Sequence, residues 1–235
     1  MWVKIVPSNE LRHSPSWKPE FFCSEGISTR GSRFPMVSLR SIVRERGEPV
    51  DPQDRAFHQL PYVGLENVEP VTGRLLNVKS CASANVISRS KRFAPEDVLY
   101  GRLRPALNKV CLPAALNNGG VCSNEFLVLK ANRDLILPSV LRSIISTEYV
   151  TSWVGSKLSG SALPRLSLSD LLSLEIPLPP MSIQHAYAKF LEDELMRYDK
   201  IATLVMEFPK SLMSRLVSAL ESGSEDVSLR ASQAT

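Results

Sequence analysis

The sequence predicts an α+β protein, in which a domain built on a mixed β-sheet is followed by a long, coiled-coil-like C-terminal helix. Short apolar runs between residues 60 and 130 are separated by polar turns, a pattern typical of β-strands. From residue 181 to about 221, apolar residues instead recur at steps of three and four, which is the period of an α-helix. We therefore divide the chain into an N-terminal extension packed on the domain (1–35), the β-rich domain (36–180), the helical segment (181–221) and a disordered tail (222–235).

The elements of the β-rich domain follow from local patterns. Residues 36–43 open it with a segment that fits a strand or a helix, and a polar, Pro-containing loop follows at 44–59. The run Asn117–Gly120 (NNGG) predicts a turn, because Asn and Gly accept positive φ. A second turn is expected at Thr72-Gly73. Strands are predicted at 60–65, 86–89, 97–103, 108–112, 121–123 and 125–130.

Helical patterns dominate the second half. Pro138 favours the first turn of a helix, which we expect to run to about Val154. A short helical turn is expected at 167–174, and the prolines of 176–180 favour an extended exit. The helix at 181–221 would be about 60 Å long if straight. Pro209 is expected to kink or split it.

Composition excludes several classes of protein. The 235 residues are 43% hydrophobic and 22% charged, which suffices for a core and excludes a wholly disordered chain. No apolar stretch approaches the roughly 18–20 residues that span a bilayer, so we expect no membrane association. The N-terminus lacks a basic segment followed by an apolar run, so we expect no signal peptide and a cytoplasmic location.

Basic residues concentrate in one segment. Between Arg74 and Lys109 there are eight basic and two acidic residues, so this segment is more positive than the whole chain, whose net charge is +4. A folded basic patch attracts a polyanion such as nucleic acid, and the alternative is a solvated face. The eight residues are Arg74, Lys79, Arg89, Lys91, Arg92, Arg102, Arg104 and Lys109.

Two arginines stand out within that segment. Arg102 and Arg104 are two residues apart, which would put both on one face of a strand. Arginine presents a fork of donors suited to guanine or phosphate, and an asparagine such as Asn108 can pair with adenine. The alternative for both arginines is a surface ion pair with Glu96 or Asp97.

The sequence carries little that indicates catalysis or metal binding. Its four cysteines and three histidines show no paired spacing, so we expect free buried thiols, no metal and no cofactor. Phosphate-binding loops and nucleophile elbows are absent from it. Asp97, Glu125 and Asp170 are the carboxylates a metal-dependent nuclease could use, but they lack the spacing of such a site.

The apolar stripe of the long helix needs a partner surface. It packs either on its own domain or on another helix, and its length favours an intermolecular pair or bundle. Its residues are Tyr187, Leu191, Leu195, Tyr198, Ile201, Val205, Phe208 and Leu212.

Several blocks of the sequence follow one another in a characteristic order. They are 17–22 (WKPEFF), 36–39 (MVSL), 62–69 (YVGLENVE) with Gly73, 93–105 (FAPEDVLYGRLRP), 108–110 (NKV), 123–129 (SNEFLVL), 159–166 (SGSALPRL), 176–180 (IPLPP) and 183–184 (IQ). This ordered series resembles the target-recognition domain of type I restriction-modification specificity subunits. Glu96, where the family usually has glycine, departs from the pattern. Full specificity subunits usually hold two such domains, so this chain resembles a half-subunit.

The resemblance implies a non-catalytic subunit that binds double-stranded DNA and directs a DNA adenine methyltransferase subunit, and a restriction (translocase) subunit where the system has one. Its helix would pair in a homodimer and set the spacing of a bipartite site. Arg102, Arg104, Asn108 and Lys109 are the candidate DNA contacts, and the other basic residues of the segment are more typical of phosphate contacts.

Some assignments stay open at this stage. Tyr62, Glu66 and Asn67 face the DNA groove or support the sheet, and the 159–165 loop contacts DNA or closes the domain. Asp97 is expected to cap a turn. Two other functions remain: a nuclease or modification enzyme that carries such a domain, and a helix-mediated adaptor without a DNA role.

Overall fold

The computed structural model describes residues 33–84, 86–158 and 163–222. Two compact units divide at Ala188 and Lys189. Nearly all of the predicted extension (1–35) and tail (222–235) lies outside the described residues.

The ambiguous opening segment contains both kinds of structure. Strand β1 (Met36–Ser38) leads into one helical turn, α1 (Leu39–Ile42), and then into β2 (Val43–Glu45). Leu39 and Ile42 are buried on the helical turn. The loop predicted at 44–59 is shorter than expected, because β2 runs into it and β3 (Pro49–Val50) lies within it.

Two sheets form the centre of the first unit. One has the order β2-β10-β7-β8, and the other has the order β3-β6-β9-β4-β5, with β4 parallel to β9 and the other pairs antiparallel. The strands are β4 (Pro61–Val63), β5 (Lys79–Ser80), β6 (Ser90–Phe93), β7 (Val98–Gly101), β8 (Val110–Cys111), β9 (Gly120–Ser123) and β10 (Phe126–Ala131).

The sheets pack against each other through one apolar layer. Phe93 and Cys122 of the five-stranded sheet meet Leu99, Phe126 and Val128 of the four-stranded sheet in one buried cluster. Successive side chains of a strand point to opposite faces, so the intervening residues of β7 and β10 are free to pack on a second layer.

That second layer is helical. The short helix α2 (Cys81–Ala84) directly follows β5 of the five-stranded sheet. The second core is formed by α1 together with α3 (Pro138–Ile145), α4 (Glu148–Lys157) and α5 (Leu168–Leu172). Their apolar residues bury Tyr100 and Leu127 of the four-stranded sheet. The predicted α+β class is confirmed.

Two element predictions are wrong in position. The strand expected at 86–89 begins at Ser90, where pairing with Ser123 of β9 starts, and Ile87 and Arg89 are exposed. The helix expected at 138–154 is two helices, because the Ser146 and Thr147 hydroxyls bind the carbonyls of Arg142 and Ile144, each at 2.7 Å. Such side-chain bonds compete with helix propagation.

The end of the domain leads into the long helix. Strand β11 (Glu175–Pro177) pairs with β1, and α6 (Met181–Ser222) follows as one helix with Pro209 inside it. Proline removes one donor and leaves one carbonyl unmatched, and solvent can bind that carbonyl in an exposed helix. The helix is continuous through Pro209, so the predicted split does not occur, and a kink at this residue stays a prediction.

A buried glutamine joins the first turn of α6 to the domain. The Gln184 side chain accepts from Leu137 N at 2.9 Å and donates to Leu135 O and Pro179 O, both at 2.8 Å. Only 1% of the Gln184 surface is exposed, so these three hydrogen bonds satisfy its amide group where water has no access. Among the helices described, none is both long and apolar enough to cross a membrane.

Candidate nucleic-acid interface

Four arginines surround the β9–β10 turn at one end of the two sheets. Arg89 precedes Ser90, the partner of Ser123. Arg102 donates its backbone N–H to Glu125 O at 2.8 Å, and Arg104 donates its own to Pro164 O at 2.9 Å. We call Arg89, Arg102, Arg104 and Arg165 the arginine rim.

The geometry of Arg102 and Arg104 differs from a simple strand. Strand β7 ends at Gly101, and Arg104 has φ +48 at the start of a 3-10 turn (Pro105–Leu107). The expected common strand face therefore does not form. A left-handed arginine costs about 1–2 kcal/mol, and it is held here by its bonds to Pro164 and Leu107, both 2.9 Å long.

The alternative prediction, that Arg102 and Arg104 form surface ion pairs with Glu96 or Asp97, is wrong. Glu96 binds Arg133 at 2.7 Å, and Asp97 binds Arg46 at 2.5 Å. Arg104 is exposed, and the half-buried Arg102 has an Nε that finds no hydrogen-bond acceptor within the described part of the chain. A buried donor without an acceptor costs about 1–3 kcal/mol, so this part of the rim is not self-satisfied.

Arg165 closes the rim through a paired carboxylate. Its guanidinium donates to Glu125 through Nη2 at 2.9 Å and Nε at 3.1 Å, and Leu103 bridges to Arg165 as an isolated strand pair. The hydrogen bond raises the pKa of Arg165. Residues 163–166 thus close the domain on the segment after β7. The rest of the predicted 159–165 loop lies outside the described residues.

Asn108 and Lys109 hold internal contacts. Asn108 has φ +48, and its Nδ2 donates to Ser146 O at 2.7 Å. Lys109 Nζ donates to Leu65 O at 2.7 Å. Both side chains are half-buried, so the structure uses them to join the rim to the neighbouring loops.

A second group of basic residues lies on the outer face of the five-stranded sheet. The register aligns Arg92 with Val121, Val121 with Tyr62 and Tyr62 with Lys79, so these side chains share a face. Arg92 lies 5.9 Å from the centroid of the Phe57 ring, which supports its stem. We call Arg92 and Lys79 the sheet-face cations.

Lys91 points to the opposite face of that sheet. Its Nζ donates to Glu45 and to Phe126 O, each at 2.8 Å, and 15% of the side chain is exposed. The ammonium is thus bound inside the domain. Of the remaining predicted phosphate contacts, Arg89 and Lys79 are exposed and Arg74 is half-buried.

Tyr62, Glu66 and Asn67, which could face the DNA groove or support the sheet, have different environments. Asn67 accepts from Gly64 N and donates to Leu76 O, both at 2.9 Å, so it supports the loop. Tyr62 is 8% exposed, and burial raises its pKa. Glu66 is exposed. Asn67 therefore supports the loop, and Tyr62 supports the sheet.

The carboxylates considered for a nuclease have local partners. Asp97 is buried, accepts from Ala94 N at 2.7 Å and binds Arg46, which confirms its turn-capping role. Glu125 binds Arg165, and the Asp170 carboxylate accepts a hydrogen bond from the hydroxyl of Ser167, which is the N-cap of α5. Across the described ranges, no group of three His, Cys, Asp or Glu side chains could hold a metal ion. Cys81, Cys111 and Cys122 are free and buried.

The long helix exposes its predicted stripe. Leu191 is half-buried, and the other seven stripe residues are exposed, Ile201, Val205 and Phe208 by more than 60%. Thirteen of the twenty large apolar side chains exposed in the described residues lie between 189 and 218. They include Leu204, Met206 and Val217, which lie on neighbouring faces.

The chain is similar to known specificity proteins. The family model for the type I restriction modification DNA specificity domain matches residues 108–201. Over 169 residues, 72% of this chain and 35% of the relative, the sequence is 24% identical to the type I restriction enzyme EcoDI specificity subunit of Escherichia coli.

Solved structures share the fold. The HsdS subunit from Thermoanaerobacter tengcongensis has a TM-score of 0.59 and 25% identity, covering 79% of this chain and 48% of that one. A chain from work on complex assembly and conformational transition of the type I R-M system has a TM-score of 0.61 and 25% identity, with 80% and 50% covered. The S subunit from M. genitalium, at 15% identity, shares the fold with a TM-score of 0.53 over 86% and 49%.

This chain spans about a third of the curated relative and about half of each solved subunit. The matched region includes Asn108, the helices packed on the four-stranded sheet and the first part of the long helix. The sequence blocks, the fold and the relatives agree, and the chain is therefore similar, in its matched region and in its fold, to the DNA specificity subunits of type I restriction-modification systems.

Proposed function

We propose that this chain is the DNA-recognition component of a type I restriction-modification system. It binds double-stranded DNA in the cytoplasm, is itself non-catalytic, and directs a DNA adenine methyltransferase subunit to a bipartite site. A restriction subunit joins where the system contains one. The observation that carries the proposal is the arginine rim, built on a fold shared with specificity subunits.

We assign the base contacts to Arg102 and Arg104. Arg104 is exposed and fixed at both backbone ends, and an arginine fork fits the O6 and N7 atoms of guanine. Arg89 and the sheet-face cations are the phosphate contacts, which position the protein without reading sequence. Arg74 remains a predicted phosphate contact.

Lys91, Asn108 and Lys109 take a supporting role in this proposal. Their side-chain nitrogens already donate to carbonyl oxygens or a carboxylate within the domain. Withdrawing these donors would leave buried acceptors unpaired, which costs more than one new contact returns.

The long helix is the proposed dimer and partner surface. Its exposed apolar stripe matches a second copy of itself, since the stripe recurs at helical spacing over about 40 Å from Tyr187 to Leu212. A twofold dimer would place two identical rims on a split palindromic site, with the helix setting the spacer. The apolar residues on neighbouring faces are available to the methyltransferase.

The two other candidate functions have less support. A nuclease would need clustered carboxylates, and Asp97, Glu125 and Asp170 have separate partners. An adaptor without a DNA role does not account for the basic rim. The relatives are named as specificity subunits, which favours recognition over both.

The recognition role is tested by binding. The chain, purified with its methyltransferase subunit, is incubated with a randomised duplex pool, and selected sequences are measured by fluorescence anisotropy. Arg104→Ala should weaken binding of the selected site by about tenfold to a hundredfold and relax preference at one position. Lys200→Ala, with the same change in charge on the long helix, should leave both unchanged. Absence of any selected sequence would overturn the proposal.

The dimer is tested by sedimentation. Leu195→Glu combined with Ile201→Glu places charges in the stripe and should convert a dimer to a monomer. Lys189→Glu combined with Lys200→Glu changes more charge on the opposite side and should keep the dimer. A wild-type chain that sediments as a monomer at high micromolar concentration would contradict homodimerisation.

The in vivo consequence is a methylated motif. Single-molecule methylome sequencing of the source strain and of a deletion of this gene should differ by one adenine-methylated split motif. A palindromic motif supports the homodimer, whereas an asymmetric one implies a second recognition chain.

A further inference from the structure

A second basic surface lies away from the arginine rim. A cleft of about 500 Å³ is lined by α1, by β2 and by the end of β10 with the turn after it. Its exposed side chains are Arg40, Ser41, Arg44, Lys130, Asn132 and Arg133. We call this surface the basic cleft. Its cations come from residues 40–44 and 130–133, which are far apart in the chain, so their spacing in the sequence does not indicate a common surface.

Two cations of the cleft are held next to each other by strand register. Arg44 of β2 is the direct partner of Lys130 of β10, so both side chains project from the same face of adjacent strands. Directly opposed like charges on a sheet are destabilising. An anion bound between them would convert that repulsion into attraction.

Few carboxylates balance the cleft. Arg133 pairs with Glu96 at 2.7 Å, and the neighbouring Asp134 is exposed. Arg40, Arg44 and Lys130 have no ion-pair partner among the residues that the structure describes. Glu45, the acid nearest to Arg44 in sequence, is already bound to Lys91. The cleft is therefore positive before any ligand binds.

The chemistry of the lining favours a phosphate ligand over a protein. The apolar lining residues Ile42, Val43 and Ala131 are buried, so the exposed side chains are polar or cationic. Stable protein interfaces have an apolar centre, which this cleft does not present. Guanidinium groups, an ammonium group and the Asn132 amide are donors suited to phosphate oxygens.

The position of the cleft suits DNA that flanks the site read by the rim. Lys130 lies five residues beyond Glu125 of the β9–β10 turn, which is about 17 Å along β10 at the rise of a strand. That distance equals about five base pairs along a duplex. The phosphodiester backbone of DNA outside a bound half-site can therefore reach the cleft.

We propose that the basic cleft binds the phosphodiester backbone of duplex DNA outside the half-site contacted by the arginine rim. It supplies affinity that is independent of sequence and sensitive to salt. The inference rests on the proposed DNA-binding function, and it adds a second contact surface to it. The test uses the full chain with its methyltransferase subunit.

The test variant is Arg40→Gln, Arg44→Gln and Lys130→Gln combined. Dissociation constants are measured from 50 to 200 mM salt on a short duplex that ends at the half-site and on one extended by ten base pairs on each side. On the extended duplex, the slope of log Kd against log salt should fall by about one for each phosphate that the variant no longer neutralises. On the short duplex the slope should not change, and the preferred sequence should stay the same on both.

A matched control removes the same charge elsewhere. Lys189→Gln, Lys200→Gln and Lys210→Gln lie on the polar side of the long helix and should leave the slope on both duplexes unchanged. The cleft variant should fold with an equal or higher Tm, since the Arg44–Lys130 repulsion is relieved.

The outcomes separate the two proposals. A selected sequence with an unchanged slope in the cleft variant would overturn the cleft and leave the recognition role intact. The same result together with failure to bind the methyltransferase would make the cleft a protein-docking surface, which also overturns the proposal. Absence of a preferred sequence in the wild type would overturn the recognition role of the rim. The cleft would still be tested, because the cleft variant should then lower the salt slope on random duplexes of either length.

Discussion

The domain and the long helix differ in how they treat their apolar residues. Phe126 of β10 is 0% exposed between the two sheets, whereas Phe208 of the helix is 65% exposed. Both are phenylalanines in regular secondary structure with neighbouring apolar residues. The domain closes its core within the chain, and the helix displays an apolar surface that we propose a second copy covers. We therefore expect stability and assembly to be carried by different parts of the molecule.

Truncation of the two phenylalanines should separate these parts with the largest effect. Phe126→Ala should lower the free energy of unfolding of the domain by about 3–5 kcal/mol, because it leaves a cavity in a packed core. Phe208→Ala should change it by less than about 0.5 kcal/mol and instead weaken self-association. Urea unfolding followed by near-ultraviolet circular dichroism, together with sedimentation, measures both. Equal destabilisation by the two variants would contradict the comparison.

Glycines provide an intermediate effect that sharpens the description of the domain. Gly73 has φ +68, and an added Cβ would lie 2.0 Å from Val110 O and 2.4 Å from Nη2 of Arg142. Gly73→Ala should cost about 2–3 kcal/mol, because backbone strain adds to a clash. Gly47→Ala, with φ +65 and nothing within 4 Å, isolates the strain at about 1 kcal/mol.

Gly155→Ala is the helical control for this series. Its added Cβ meets nothing within 4 Å in α4, so the substitution should stabilise by about 0.5–1 kcal/mol. Thermal unfolding of the three variants ranks them. A destabilisation at Gly73 no larger than at Gly47 would show that the crowding by Val110 and Arg142 relaxes freely.

Alkaline pH should give a further effect that is confined to the domain. Burial raises the pKa of Cys111 to about 12 and also raises that of Cys122. An unfolded thiol ionises near pH 8.5 while the folded thiols keep their protons, so stability should fall as pH rises above about 9. The slope is up to about 1.4 kcal/mol per pH unit for each thiol.

The measurement is urea unfolding between pH 8 and about 9.5, where the tyrosines of the unfolded chain, which ionise near pH 10, still hold most of their protons. Cys111→Ala should make the decline shallower, and a decline of unchanged steepness would contradict the assignment. The described cysteines all lie in the domain, so self-association of the helix should not follow this dependence.

Local patterns predicted much of the fold correctly. The NNGG turn precedes β9, with Gly119 at φ +66, and the three- and four-residue period became one continuous helix. Asp97 caps the turn that begins at Ala94, as expected. These features depend on residues within one or two turns of each other. The strand at 86–89 was misplaced because its register is set by β9, which lies about thirty residues further on.

The candidate interface was predictable only in part. The sequence indicated Arg102 and Arg104 as basic residues in a folded segment. It could not indicate which of the neighbours Lys91 and Arg92 faces the interior of the domain, because the pairing and packing of their strand decide this. It also could not show that Asn108 and Lys109 donate to carbonyls of Ser146 and Leu65, which are distant in sequence.

The sequence by itself determined the α+β class of the protein, its long C-terminal helix and its resemblance to type I specificity subunits, because these follow from period, composition and ordered motifs. The tertiary structure alone decided which cations lie on the outer surface of the domain and which are bound inside it. Lys91 and Arg92 are neighbours in sequence, yet one donates to a carboxylate inside the domain and the other lies on the outer face. The four cations of the basic cleft became one surface only when β2 paired with β10. Electrostatic function depends on distances in space, and long-range strand pairing sets those distances.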